Sequence, residues 1–236
     1  GEYLQRGVLP LLLLALPLAV LAASMPLIAL LAAAAMLWLL LTLAYNTEPQ
    51  LEREGRRGGE RKSSDTWIRA ATLPWHIVKA LLLSLPRMVL LIVIAIAGTA
   101  AATMALALPT QTVYWYFTPE RGVPIPLLND VPLSASGLAL GGFMAIGWLV
   151  TVFGPQAMMA RLGAGVLRGL NPRQAQSPMP LAYNGSPAVP SPAAMAPASA
   201  TRGKRSTVLF IIWIIVTLAL CTLPLTGMAI DWTPLV

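Results

Sequence analysis

His76 is the single histidine of the 236-residue chain, and Cys221 is its single cysteine. General acid–base catalysis near neutral pH calls for a histidine or for tuned carboxylates gathered in a cleft. His76 lies beside Trp75 in a stretch with helical spacing and reads as an interfacial polar residue. Of the 9 Asp and Glu, Glu2, Glu48, Glu52, Glu54, Glu60 and Asp65 fall in the N-terminal or charged segments. None lies at the middle of an apolar run, where proton relays and coupling ions place their charges. A lone cysteine excludes an internal disulfide, and without a CxxC pair or a Cys/His cluster it offers no structural zinc or redox pair. A lone histidine does not supply a haem His pair. The 10 Met are scattered in apolar runs, where packing explains them. These residues predict no enzyme and no coupled transporter, and they imply no cofactor and no metal.

The elements that carry these residues are membrane spans. Hydrophobic residues make up 57% of the chain and charged residues 11%, with a mean hydropathy of +0.72, and the excess lies in unbroken apolar runs. The expected fold is an all-α integral membrane protein with about five transmembrane helices, two helical hairpins plus a C-terminal span. Residues 1–46 hold the first hairpin. Its apolar run over 7–45 is about twice the length one crossing needs, and "AASMP" at 22–26 supplies the turn between spans near 8–23 and 26–45. Arg6 followed by an apolar core and the small residues Ala22 and Ser24 also resembles a secretory signal peptide, although a second span follows at once. Residues 47–66 carry both charge signs and several glycines and read as a water-exposed cytoplasmic loop.

Residues 67–171 form the second unit. Trp67, Ala71, Trp75, Val78 and Leu82 recur at helical spacing while Arg69, His76 and Lys79 project elsewhere, the pattern of an interfacial helix interrupted near Pro74. Trp67, Arg69, Trp75 and Lys79 are the expected lipid contacts of this stretch. A third span follows near 87–108, an aromatic outer loop over 109–136, and a fourth span near 137–158. "RLGAGVLRGLNPR" then places Arg161 and Arg168 on one face of a short basic helix expected at the membrane surface. Residues 172–205 are rich in Pro, Ala and Ser, a cytoplasmic linker that buries no core of its own and takes order only from a partner surface. Asn184-Gly185-Ser186 in this linker matches a glycosylation acceptor, discounted by its cytoplasmic placement. Residues 206–236 hold the fifth span, near 207–228, and a short outer tail.

With the N-terminus in the cytoplasm, Arg121 alone of the 16 Lys and Arg falls on the outer side. The sequence pI of about 10.2 therefore reflects orientation and contact with anionic lipids, not nucleic-acid binding. The expected location is the bacterial inner membrane, with the C-terminus outside.

"LLLALP" at 12–17 recurs as "LLLSLP" at 81–86, each at the start of a hairpin. This echo is either chance repetition of leucine-rich membrane sequence or the trace of one ancestral hairpin used twice. Together with "LEREGRR" after the first hairpin, "TWIRA" before the second and "ARLGAGVLRGLNP" after it, the pattern over residues 7–172 resembles the sensor domain of actinobacterial membrane proteins. That domain commonly precedes a cytoplasmic histidine-kinase module, which implies a role in sensing. Here a Pro/Ala segment and a further span stand in that place, so the resemblance does not imply phosphotransfer by this chain.

Two features point to contacts with other proteins. Gly137, Gly141 and Ala145 form a small-residue ridge on the fourth span, and Ala97, Ala101 and Ala105 another on the third. They serve either to pack these spans against each other or to receive a partner's helix. Tyr114, Trp115, Tyr116 and Phe117 lie where aromatic residues anchor at the interface, and the stiff apolar stretch through Pro124, Pro126 and Leu128 offers a docking surface at modest ordering cost. The expected function is a non-catalytic accessory subunit bound to other integral membrane subunits. A stand-alone sensor is the alternative, and a small channel or carrier a third class.

Overall fold

The computed structural model describes residues 2–56, 63–118, 121–154, 157–169 and 200–235, without the side chains of 2–3, 50–56, 63–70, 117 and 200–205. The order of elements is α1 (Glu2–Ser24), α2 (Pro26–Arg56), α3 (Ser63–Leu106), β1 (Thr110–Thr118), β2 (Arg121–Leu128), α4 (Ala135–Phe153), α5 (Met158–Arg168) and α6 (Ala200–Leu225). Among the described residues, five helices are long and apolar enough to cross a membrane: Leu4–Ser24, Pro26–Pro49, Ala71–Leu106, Ala135–Phe153 and Ser206–Leu225. The chain is thus a mostly helical polytopic membrane protein. Among the described residues the fold departs from all-α only in the two-stranded β1–β2 sheet.

α1 is the hub, packed against α2, α4, α5 and α6. Its core residues Leu11, Ala15, Leu18 and Ala22 follow the i, i+4, i+7 rhythm of one helical face. They meet Ala29, Ala33, Leu37 and Leu40 of α2, Met144, Trp148 and Val152 of α4, and Ala160 and Ala164 of α5. Alanines and glycines dominate these seams because apolar side chains gain nothing over lipid, so helices associate by close backbone approach. A Cβ on Gly7 would lie 2.0 Å from the Arg161 carbonyl oxygen, and one on Gly163 would lie 1.9 Å from that of Leu40. α5 is therefore wedged between α1 and α2 by its glycine side. The short basic helix expected here is packed on the bundle along one face, where Ala160, Gly163, Ala164 and Gly165 are buried.

Prolines shape α1 without ending it. A proline at position i gives no N–H to the carbonyl at i−4, so Pro10 and Pro17 release the carbonyls of Arg6 and Leu13. Other elements take both up. Arg168 Nη1 donates to Arg6 O (3.4 Å), and Trp213 Nε1 of α6 donates to Leu13 O (2.7 Å). Trp148 Nε1, fully buried, donates to Leu11 O (2.9 Å) one turn away.

Pro26 starts α2, where a missing N–H costs nothing. α2 continues to Arg56, so the charged segment is helical for its first part, with 57–62 outside the described residues. α3 runs unbroken through Pro74 and Pro86 for 44 residues, where an interruption near Pro74 is expected from sequence. One lost hydrogen bond is too little to end a helix supported along its side by α2, as where Trp38 Nε1 donates to Ile77 O (3.0 Å). α4 stops at Phe153, short of the expected 158, with the Gly154 N–H closing on Val150 O (2.9 Å) before Pro155.

Candidate functional site

The helix ends gather into two groups. At one end Arg6 Nη1 donates to Gly169 O (3.3 Å), Arg168 Nε to Ser206 Oγ (3.4 Å), and the Arg161 guanidinium lies 5.7 Å from the centre of the Phe153 ring. At the other, the Asp231 N–H donates to Ser24 O (2.8 Å) and the Ile230 N–H to Asp130 O (2.9 Å). Ser134 caps α4 by accepting from the N–H groups of Ser136 and Gly137. The Asp130 carboxylate accepts from the Val131 N–H (2.8 Å) and the Ser136 hydroxyl (2.8 Å). That backbone bond, followed by the hydroxyls of Ser134 and Ser136, holds it below the usual carboxylate range. Asp231 is lowered in the same way by the Thr233 hydroxyl and N–H.

The hairpin rises from this second end. β1 and β2 pair antiparallel in a regular register, with Val113 opposite Ile125, Tyr114 opposite Pro124 and Thr112 opposite Pro126, until an irregularity between Tyr116 and Thr118. The Asn129 N–H donates to Pro109 O (3.0 Å), which continues the ladder and assigns its hydrogen-bonded sites to the odd-numbered residues. The nitrogens of Pro124 and Pro126 therefore point away from β1, where a missing donor does not break the ladder.

Among the described residues, attachment to the bundle lies at the base of the hairpin. Leu128 packs with Leu140 of α4 and Ile230, flanked by Leu108 and Trp232, and Trp232 Nε1 donates to Leu128 O (2.9 Å). Toward the tip, Tyr114, Trp115 and Tyr116 are 56%, 50% and 62% exposed. The rings of Tyr114 and Tyr116 are 6.4 Å apart on one face of the strand. Phe117 belongs to β1, and its side chain lies outside the described residues.

The remaining residues singled out from sequence are dispersed. Gly137 abuts the Pro132 carbonyl and Gly141 the Ala19 carbonyl of α1, while Ala145 packs on the main core. The α4 ridge thus faces α1 and its own N-terminal turn. α3 and α4 instead meet through Gly98 against Phe143 and Gly147 against Leu91, and Ala97, Ala101 and Ala105 face outward. Trp75 is 68% exposed on α3, and the Lys79 ammonium lies 5.0 Å from the centre of the Tyr45 ring. The side chains of Trp67 and Arg69 lie outside the described residues, as does the whole segment 170–199 with its glycosylation motif. His76 Nδ1 is buried without a hydrogen-bond partner among the described residues. Among the described residues no three His, Cys, Asp or Glu side chains gather to hold a metal ion.

Sequence reasoning missed the indole-to-carbonyl bonds of Trp38, Trp148, Trp213 and Trp232. For Trp213 the signal was present, since Pro17 alone specifies which carbonyl of α1 must find an outside donor. Comparison of the chain with protein-family models, with curated proteins and with solved structures returns no match.

Proposed function

We propose that this protein is a non-catalytic interaction subunit of a larger assembly in the bacterial inner membrane, and that the β1–β2 hairpin is its docking element. The observation that carries the reading is the hairpin's isolation: it is fastened at Leu128 and leaves Tyr114, Trp115 and Tyr116 exposed. A two-stranded hairpin is marginal in water without further packing, so a partner surface is the natural source of its support. Enriched aromatics with two stiffening prolines lower the ordering cost of such a contact. The partners are other integral membrane subunits. Anionic lipids are the expected neighbours of the opposite end, where Arg6, Arg161 and Arg168 gather. That distribution of charge also supports a cytoplasmic N-terminus and an outer hairpin. The test is native mass analysis of the tagged protein extracted gently from its own membrane, with stoichiometric co-migration of defined subunits as the expected result.

A second reading, a stand-alone sensor, is supported by α3, which joins the base of the hairpin to the charged segment as one continuous helix. It requires a cytoplasmic effector on residues 46–66 or 172–205. Site-specific crosslinking from those segments in native membranes would capture one, and the absence of any crosslinked protein there would remove this reading.

A further inference from the structure

The two edges of the hairpin are built differently. On β2 the outward backbone positions are Gly122, Pro124, Pro126 and Leu128, because the odd-numbered residues face β1. Two of these have no N–H at all, and the Leu128 carbonyl is already taken by the Trp232 indole. Arg121 adds a charge at the tip. Proline and charge are the means by which sheet edges are protected from unwanted strands. β1 has neither device, since "TQTVYWYFT" contains no proline and no charged residue. Its outward groups, the N–H and C=O of Thr112, Tyr114 and Tyr116, have no partner among the described residues. An uncharged run of aromatic and β-branched residues with an open edge is an aggregation hazard if nothing covers it.

We infer that the outer edge of β1 is a strand-addition site: an extended segment from the extramembrane part of a partner subunit pairs with Thr112, Tyr114 and Tyr116 and makes β1 the central strand of a three-stranded sheet. The inference rests on the proposed docking role of the hairpin and names the chemistry of its partner. Main-chain bonds to β1 require non-proline residues at alternate positions of that segment. Its side chains must suit the two faces of the sheet, Tyr114 and Tyr116 with Pro124 and Pro126 on one, Val113 and Trp115 with Ile125 on the other. Uncharged β-branched and aromatic residues meet both demands. The blocked edge of β2 stops growth on the far side, so the addition is limited to one strand. A second copy fits less well. Antiparallel self-pairing places its two-fold axis perpendicular to the sheet, whereas two copies inserted alike in one bilayer share an axis along the membrane normal. The two coincide only for a sheet lying flat on the membrane.

The experiment uses the full chain, purified gently from its own membrane, compared with the same chain after stringent detergent has stripped bound subunits. Amide hydrogen exchange of Thr112, Tyr114 and Tyr116 should be slow in the first sample and fast in the second, while Val113 and Trp115 stay protected in both. The double substitution Thr112→Pro and Tyr114→Pro removes two outward donors, an arrangement β2 already tolerates, together with two side chains whose loss alone is measured by Thr112→Ala with Tyr114→Ala. It should lower retention of the co-purifying subunit by about tenfold or more, while Thr112→Ser with Tyr114→Phe retains it. If a subunit co-purifies but these amides exchange equally fast in both samples, strand addition is wrong while the docking role stands. If the amides are protected in a species containing only this chain, the occupant is a second copy and the inference is overturned. If nothing co-purifies and the amides exchange freely, both the inference and the reading beneath it fail.

Discussion

The bundle around α1 and the β1–β2 hairpin use aromatic residues in opposite ways. In the bundle, Trp148 and Trp213 direct their indole N–H groups onto α1 carbonyls and cross-link helices that lipid gives little reason to associate. In the hairpin, Tyr114, Trp115 and Tyr116 stay half open or more, and the polar backbone beside them is unused on one edge. Proline marks the same division. In α1 it releases a carbonyl that the protein then satisfies itself, while in β2 it removes a donor and closes an edge. The bundle thus turns its indole donors inward onto its own carbonyls, and the hairpin leaves one backbone edge open among the described residues.

The comparison breaks most sharply at the glycine seams. Gly163→Leu and Gly7→Leu each drive side-chain atoms into a facing backbone carbonyl, which no rotamer change relieves. Such overpacking costs roughly 1–3 kcal/mol or more, and the expected outcome is loss of monodisperse protein on gel filtration. Next comes Trp148→Phe, which leaves a void in the core and removes the indole hydrogen bond to the Leu11 carbonyl. It should lower stability by about 1–3 kcal/mol, read as a fall in the thermal midpoint in detergent. Trp213→Phe should cost less, about 0.5–1.5 kcal/mol, because α6 is the least buried span. In a Pro17→Ala background that cost should shrink further, since the new N–H at 17 closes on Leu13 O. A double-mutant cycle measures the coupling, expected at about 0.5 kcal/mol or more.

By contrast, Tyr114→Ala or Tyr116→Ala should change the stability of the isolated chain by no more than about 0.5 kcal/mol while weakening partner retention. A uniform loss of stability there would erase the contrast between the two regions.

The smallest expected effect is on pH. The Asp130 carboxyl is lowered in the folded protein by the Val131 N–H and the Ser134 and Ser136 hydroxyls. A lowered carboxyl contributes stability that is fully present above its ordinary value near 3.8 and is lost as pH falls through the lower folded value. The protection of the Val131 amide relative to its intrinsic exchange rate should therefore fall as pH drops below 3.8, and Asp130→Asn should remove that dependence.

The five spans were legible because lipid demands long apolar runs and nothing else in this chain resembles them. The hairpin was not. "TVYWYFT" carries the β-branched and aromatic signature of a strand, but Pro124 and Pro126 argue against a partner strand until the register shows both nitrogens facing outward. The packed face of α5 was missed for a related reason. Arg161 and Arg168 drew attention to its polar face, while Ala160, Gly163 and Ala164, which look featureless in sequence, form the contact. The α4 ridge was expected either to pack on the third span or to receive a partner's helix, yet Gly141 meets α1, which spacing along one helix cannot reveal. In the hairpin, the aromatic run was legible and the open edge of β1 was not, since edge chemistry depends on which parity of the strand faces the ladder.

The central claim, that this protein is one subunit of a larger membrane assembly, is tested most directly by native mass analysis of the tagged chain released gently from its own membrane. Co-migration with a defined set of subunits in fixed ratio is the predicted result. A chain that runs alone, or only with copies of itself, under conditions that keep known complexes intact would contradict it.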